Sequence, residues 1–195
     1  MDKDSEQALI NQSAKGDAIA FRRLVEDSQN FALSIAYKFL NNMADAEDIV
    51  QEAYIRVWKN LHRYDHDFRF KTWLGKIITN LCLDTKKSSY RKMLINPVDV
   101  TTTQSASDAN ETGRQLEHEE LKEIIHKLAA SLTEKQRAVF ILRDLQQLEP
   151  DEVCTILAMS AGNLKSNLYY ARMKMKNLLE EYYNEKKRLS MDPTH

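Results

Sequence analysis

Glycine and proline are scarce, at four and three in 195 residues. With them goes the supply of tight turns that a chain of many short strands requires. No segment alternates apolar and polar residues over a strand's length, whereas apolar residues recur at three- and four-residue intervals from end to end. The expected fold class is all-α.

Cysteine is nearly missing as well. Cys82 and Cys154 lie far apart inside helical patterns, with no CxxC pair or Cys/His cluster. That argues against a zinc site and fits buried thiols in a reducing compartment. The opening residues, MDKDSE, are polar and acidic, unlike a secretory signal. No apolar run approaches the roughly 20 residues of a membrane span. A cytoplasmic location without membrane insertion is expected. Also lacking are a glycine-rich cofactor loop, a metal-ligand cluster and a nucleophile constellation, so neither an enzyme nor a cofactor is expected. Finally, there is no charge excess: 28 basic against 29 acidic residues give a net −1. A freestanding DNA-binding protein usually carries a marked basic surplus.

The charge is segregated instead. Asp45, Glu47, Asp48 and Glu52 open one stretch with no basic residue before Arg56. From there to Lys92 run ten basic residues, Lys76, Lys87 and Arg91 among them, opposed only by Asp65, Asp67 and Asp84. Two adjacent surfaces of opposite sign imply two partners, one basic and one polyanionic. Tyr64, Phe68, Phe70, Trp73 and Tyr90 are interleaved with the basic residues. Single-stranded nucleic acid needs that mixture, charge for phosphates and flat faces for unstacked bases. Helical periodicity accounts for part of the same stretch, through Ala46, Ile49, Val50, Ala53, Val57 and Leu61, then Leu74, Ile77, Ile78 and Leu81. Tyr54 and Trp58 are expected as core aromatics on that count. Trp73 fits either a core or a strand-facing role. Residues 64–71, between two helical patterns, have no amphipathic register.

Along the chain, a short helix near Gln7–Gln12 precedes Asp17, a plausible N-cap for a longer helix that Asn41-Asn42 ends. Helices are expected from about Asp45 to Asn60 and from about Lys71 to Tyr90. These make a first domain over residues 1–97. Residues 98–116 are rich in Thr, Ser, Asn and Asp, a flexible acidic linker able to reach roughly 60 Å extended. A linker of this kind leaves the separation of the domains unfixed. A second domain over 117–183 holds Thr133 and Gln136, spaced as a capping box, and Pro150 in a helix's first turn. Its end, PDEVCTILAMSAGNLKSNLYYARMKMKNLL, has helix-turn-helix proportions, with Ser160 capping the longer, basic helix. An ordinary helical hairpin with a solvated basic face has the same periodicity. Residues 184–195 form a charged tail. The architecture expected is thus two small helical domains, the second a helix-turn-helix domain.

Four segments in order resemble one family. QSAKGDAIAFRRLVE, DAEDIVQEAYIRVWKN, YDHDFRFKTWLGKIITNLCLDTKKSSYRK and LTEKQRAVFILRDLQQLEPDEVCTILAMSAGNLKSNLYYARMKMKNLL are similar to the successive parts of bacterial sigma factors of the extracytoplasmic-function (ECF) group, sigma-70 family. The resemblance implies a transcription initiation factor that binds core RNA polymerase and reads −10 and −35 promoter DNA, usually under an anti-sigma partner. It implies polymerase binding by Asp48, Gln51 and Glu52. It places Phe70, Lys71, Asn80, Asp84 and Lys87 at the −10 strand, beside Phe68, Trp73, Lys76 and Arg91 from the basic–aromatic pattern. Lys165, Ser166, Asn167 and Arg172 fall on the −35-reading helix, with Tyr169 among them. The chain departs from the family's common pattern at Pro150, Ala158, Asn167, Tyr170 and Met173; glycine is usual where Ala158 stands. The rival reading is a freestanding helix-turn-helix regulator with an N-terminal sensing or dimerisation domain. A purely helical scaffold would need no basic–aromatic loop.

Overall fold

The computed structural model describes residues 3–95, 121 and 124–191. The sequence-derived linker at 98–116 and the domain boundary at 117 lie outside the described residues. The first half comprises α1 (Lys3–Ala14), α2 (Ala18–Leu40), α3 (Met43–Asn60), a 3-10 turn (Leu61–Arg63) and α4 (Phe70–Ile95). The second holds helical residues 124–129 (α5), then α6 (Glu134–Phe140), a π-wound turn (Ile141–Leu145), α7 (Pro150–Leu157) and α8 (Ala161–Met191). Helix α8 thus runs on into the stretch assigned to a tail. No strand occurs among the described residues.

Side chains set the helix ends. The Asp17 carboxylate accepts from the Ile19 and Ala20 N–H groups at 2.9 and 3.1 Å, satisfying two donors of the α2 N-terminus. Asn41, at φ 55°, ends α2, and the Asn42 side chain accepts from the Asp45 N–H at 3.1 Å to start α3. Two asparagines therefore turn the chain between the helices, since asparagine tolerates the left-handed region. Thr133 and Gln136 close the capping box of α6. What looked like one helix through Leu145 changes its winding at Ile141, where the Gln146 N–H reaches back five residues to the Ile141 carbonyl at 2.8 Å. Ser160 caps α8 by accepting from the Asn163 N–H at 3.3 Å.

Helix α2 is the hub. Its stripe of Ala20, Leu24, Ser28, Ala32, Ile35, Ala36 and Phe39 is buried, and α1, α3 and α4 all pack on it. One apolar core runs through both halves, joining Ile35, Leu74 and Ile78 to Val139, Leu142, Val153 and Ile156. A smaller cluster, Ala129, Leu132, Phe140, Ala171 and Met175, belongs to the second half alone. The halves are docked, where the sequence left their separation open. Among the expected core aromatics, Tyr54 is buried, but Trp58 keeps 40% of its surface exposed. Trp58 instead lies over Phe21, ring centroids 4.8 Å apart, at the rim.

The turn between α7 and α8 explains the family's usual glycine. Ala158 sits at φ 49°, ψ 49°, a left-handed conformation that a β-carbon makes costly. Ala158→Gly should raise stability by about 1 kcal/mol, or roughly 2–4 °C in melting temperature for a chain of this size. An unchanged or lowered melting temperature would show that this turn is unstrained.

Candidate nucleic-acid interface

Three exposed surfaces carry the residues singled out from the sequence. The first is the outer face of α3. The buried stripe Ala46, Ile49, Ala53 and Val57 turns Asp48 and Gln51 to solvent, with Glu52 half-buried beside them. Glu52 accepts from Arg56 Nε at 2.7 Å, an exposed pair one turn apart. The sequence reading missed Ile55, which is 47% exposed four residues after Gln51. Its position off the buried stripe was the available signal.

The second surface is the loop into α4. Tyr64 anchors it from below: buried, its ring meets Trp73 at 5.3 Å and Phe70 at 6.3 Å, and its hydroxyl donates to the Phe68 carbonyl. Burial, helped by the nearby Glu6 and Asp65 carboxylates, pushes the Tyr64 hydroxyl up to about 12, so it stays a donor throughout the physiological range. Helix α1 fastens the same loop. Glu6 accepts from the Phe70 N–H at 3.3 Å, capping α4 from another helix, and Gln7 Nε2 meets His66 Nδ1 at 2.5 Å.

That framework corrects one expectation. Phe70 is only 1% exposed and belongs to the core, so its ring is not available to a base. Phe68, 43% exposed at the loop's tip, offers the flat face instead. Lys71 is exposed, its ammonium 5.9 Å from the centre of the Phe31 ring. Trp73 is half-buried, while Lys76, Asn80 and Asp84 are exposed at four-residue spacing along one face of α4. The side chains of Lys87 and Arg91 lie outside the described residues.

The third surface is α8. Leu164, Ala171 and Met175 face inward, leaving Lys165, Ser166, Tyr169, Tyr170 and Met173 exposed. Two expected readers are engaged elsewhere. Asn167 gives its side-chain amide to the Asn163 carbonyl at 2.8 Å. Arg172 forms a two-pronged bond to Asp144, Nε to Oδ2 at 2.9 Å and Nη2 to Oδ1 at 2.5 Å. That hydrogen bond pushes the guanidinium further above its ordinary value. Asp144 sits on the π-wound turn, so the pair ties α8 to the segment preceding α7. Lys174, which the sequence reading left without a role, donates to the Ser131 carbonyl at 2.6 Å and adds a second tie.

Two outcomes follow for initiation assays. Phe68→Ala should initiate poorly from duplex DNA and recover on a template whose −10 region is already mismatched, because a stacking face matters most while bases leave the duplex. Phe70→Ala should instead lose roughly 3–5 kcal/mol of stability, seen by chemical denaturation, with no rescue by the bubble. Rescue of Phe70→Ala alone would restore the ring to the strand. For α8, Arg172→Ala and Asp144→Ala should weaken −35-dependent initiation to similar extents, and the double variant no further. Additive losses, or a base preference altered by Arg172→Ala alone, would return Arg172 to direct reading.

Comparison with known proteins matches two stretches of the chain to a family. Residues 24–92 match the family described as Sigma-70 region 2, and residues 122–175 match Sigma-70, region 4. The chain is 29% identical over 178 residues to the ECF RNA polymerase sigma factor SigW of Bacillus subtilis (strain 168), covering 88% of this chain and 95% of that protein. It is 26% identical over 182 residues to the ECF RNA polymerase sigma-E factor of Escherichia coli (strain K12), covering 90% and 95%. Its fold is similar to that of the sigma factor RpoE solved with the anti-sigma factor NepR from Bartonella quintana, with a TM-score of 0.65 at 18% identity, covering 82% of this chain and 96% of that one. The order of the segments, the all-helical fold and these matches agree: the chain belongs to the extracytoplasmic-function group of the sigma-70 family.

Proposed function

We propose that this protein is the promoter-specificity factor of RNA polymerase: it binds the core enzyme and directs promoter-specific initiation by reading −10 and −35 elements. The observation that carries this reading is the pairing, in one chain, of an acidic helix face on α3 with two separate nucleic-acid surfaces, the α4 loop and α8. A protein that only bound DNA would have no use for the first.

The parts divide the work. Asp48, Gln51 and Glu52 form the polymerase-binding face, and Ile55 gives it an apolar anchor of the kind that dominates interface energies. Phe68, Lys71, Lys76, Asn80 and Asp84 hold the separated −10 strand, with Trp73 supporting them from below. Lys87 and Arg91 continue that basic face by sequence. Lys165, Ser166 and Tyr169 meet the −35 duplex, where base-edge contacts specify and phosphate contacts position. The role is non-catalytic, since the polymerase carries out the chemistry, and the site of action is the cytoplasm. No helix among the described residues is long and apolar enough to cross a membrane. An anti-sigma protein is the expected negative regulator, as in the Bartonella quintana complex.

Run-off transcription with purified core polymerase and genomic DNA fragments tests the proposal, and discrete products dependent on the added protein are expected. Asp48→Lys should abolish them while leaving helical circular dichroism and melting nearly unchanged, because surface substitutions usually shift stability by under ~0.5 kcal/mol. A net charge of −1 provides little counterion release, so the protein alone should show no tight, sequence-specific gel shift at physiological salt. A strong shift without polymerase would favour the freestanding regulator.

A further inference from the structure

Helix α8 leaves apolar surface uncovered in one place. Of the ten large apolar or aromatic side chains exposed among the described residues, three fall within five positions of it: Tyr169 at 63%, Tyr170 at 52% and Met173 at 45%. Single exposed apolar residues are ordinary, whereas a cluster on one helix marks a surface for a partner. Tyr170 and Met173 are also two of the positions where the chain departs from the family's common pattern, so this surface is not the family's usual one.

The register of the helix aims the cluster outward. Leu164, Ala171 and Met175, with half-buried Leu168, mark the inward side. At about 3.6 residues per turn, Ser166, Tyr169 and Met173 fall on the opposite side, the part that enters a groove first. The Tyr169 and Tyr170 rings brace each other edge to face, centroids 5.4 Å apart and planes at 74°. A shallow depression on this side is lined by Leu168, Tyr169 and Met173, together with the cations Lys165, Arg172 and Lys176.

The polar side chains best suited to base edges are drawn onto the protein instead. Asp144 holds the Arg172 guanidinium by both prongs, so it contributes charge here but no fork for a guanine. The Asn167 amide donates to the Asn163 carbonyl at 2.8 Å. What remains is an apolar patch edged by cations. It suits a partner that is anionic yet displays small apolar groups. Duplex DNA does so at thymine, whose C5-methyl group lies in the major groove between the flanking phosphates.

We propose that Met173, with Tyr169, is a specificity determinant for the −35 element. The two side chains pack on thymine methyl groups in the major groove, while Lys165 and Lys176 meet the adjacent phosphates. This rests on the sigma-factor reading of α8 and adds the chemistry by which the helix selects its sequence.

Deoxyuridine tests this, since it pairs as thymidine does and lacks only the methyl group. On a promoter identified by run-off transcription, the −35 thymines are replaced by deoxyuridine, one strand at a time. Initiation by the wild-type holoenzyme should fall roughly three- to tenfold for one of the strands, the range for burying one or two methyl groups. Met173→Ala should initiate equally from that template and the unmodified one, near the level wild type reaches on deoxyuridine. Met173→Leu, which keeps an apolar side chain of similar volume, should retain the thymine preference. Both substitutions are exposed and should leave the melting temperature nearly unchanged. Equal initiation by wild type from all templates, or an undiminished thymine preference in Met173→Ala, would overturn the proposal. Wild-type protein that yields no run-off product from unmodified DNA would instead overturn the proposed function, a failure visible before any variant is made.

Discussion

Helix α2 is the constraint on which the molecule depends. Small residues along its buried stripe, Ala20, Ser28, Ala32 and Ala36, alternate with Leu24, Ile35 and Phe39, so helices pack closely against several of its sides. Through Ser28 it also fixes Tyr54 of α3, hydroxyl to hydroxyl at 2.8 Å, while the Ser28 hydroxyl meets the Leu24 carbonyl of its own helix. A buried polar pair of this kind is stable because both partners are satisfied. From the same helix, Ser34 and Lys38 reach the second half. One element therefore sets the shape of the first half and the placement of the second half against it.

The functional surfaces are built from what that core leaves over. On α3 and α8, a narrow apolar stripe faces inward and the polar remainder is free for partners. The loop before α4 is handled differently. It has no stripe of its own, so Tyr64 below and Glu6 and Gln7 from α1 hold it in place. Side chains argued to touch nucleic acid are thus presented by a loop whose backbone is already ordered, which lowers the entropy lost when a strand is bound.

Much of this was legible in the sequence wherever the information is local. Caps at Asp17 and Thr133, the asparagine break at 41–42 and the inward stripes follow from neighbours within four residues. Phe70 was misjudged although its signal was present: it precedes Leu74 by four residues and Ile78 by eight, on the stripe of α4. Its place beside Lys71 drew attention to charge and away from register. The Arg172–Asp144 tie spans 28 residues and depends on a π-wound turn, so nothing in a local pattern indicates it. Lys38, near the end of α2, reads from sequence as a dipole-matching terminal charge. Only the fold shows that it satisfies a carbonyl 107 residues further on. A linker composition likewise permits many separations and selects none.

The chain is a sigma factor whose two halves share a core when the protein is free. Small-angle X-ray scattering of the isolated, monomeric protein tests that claim most directly. A docked molecule should show a radius of gyration below ~20 Å, near the ~16 Å of a compact chain of this length. Two separate bodies joined by a coil would give about 25 Å, and that value would contradict the account.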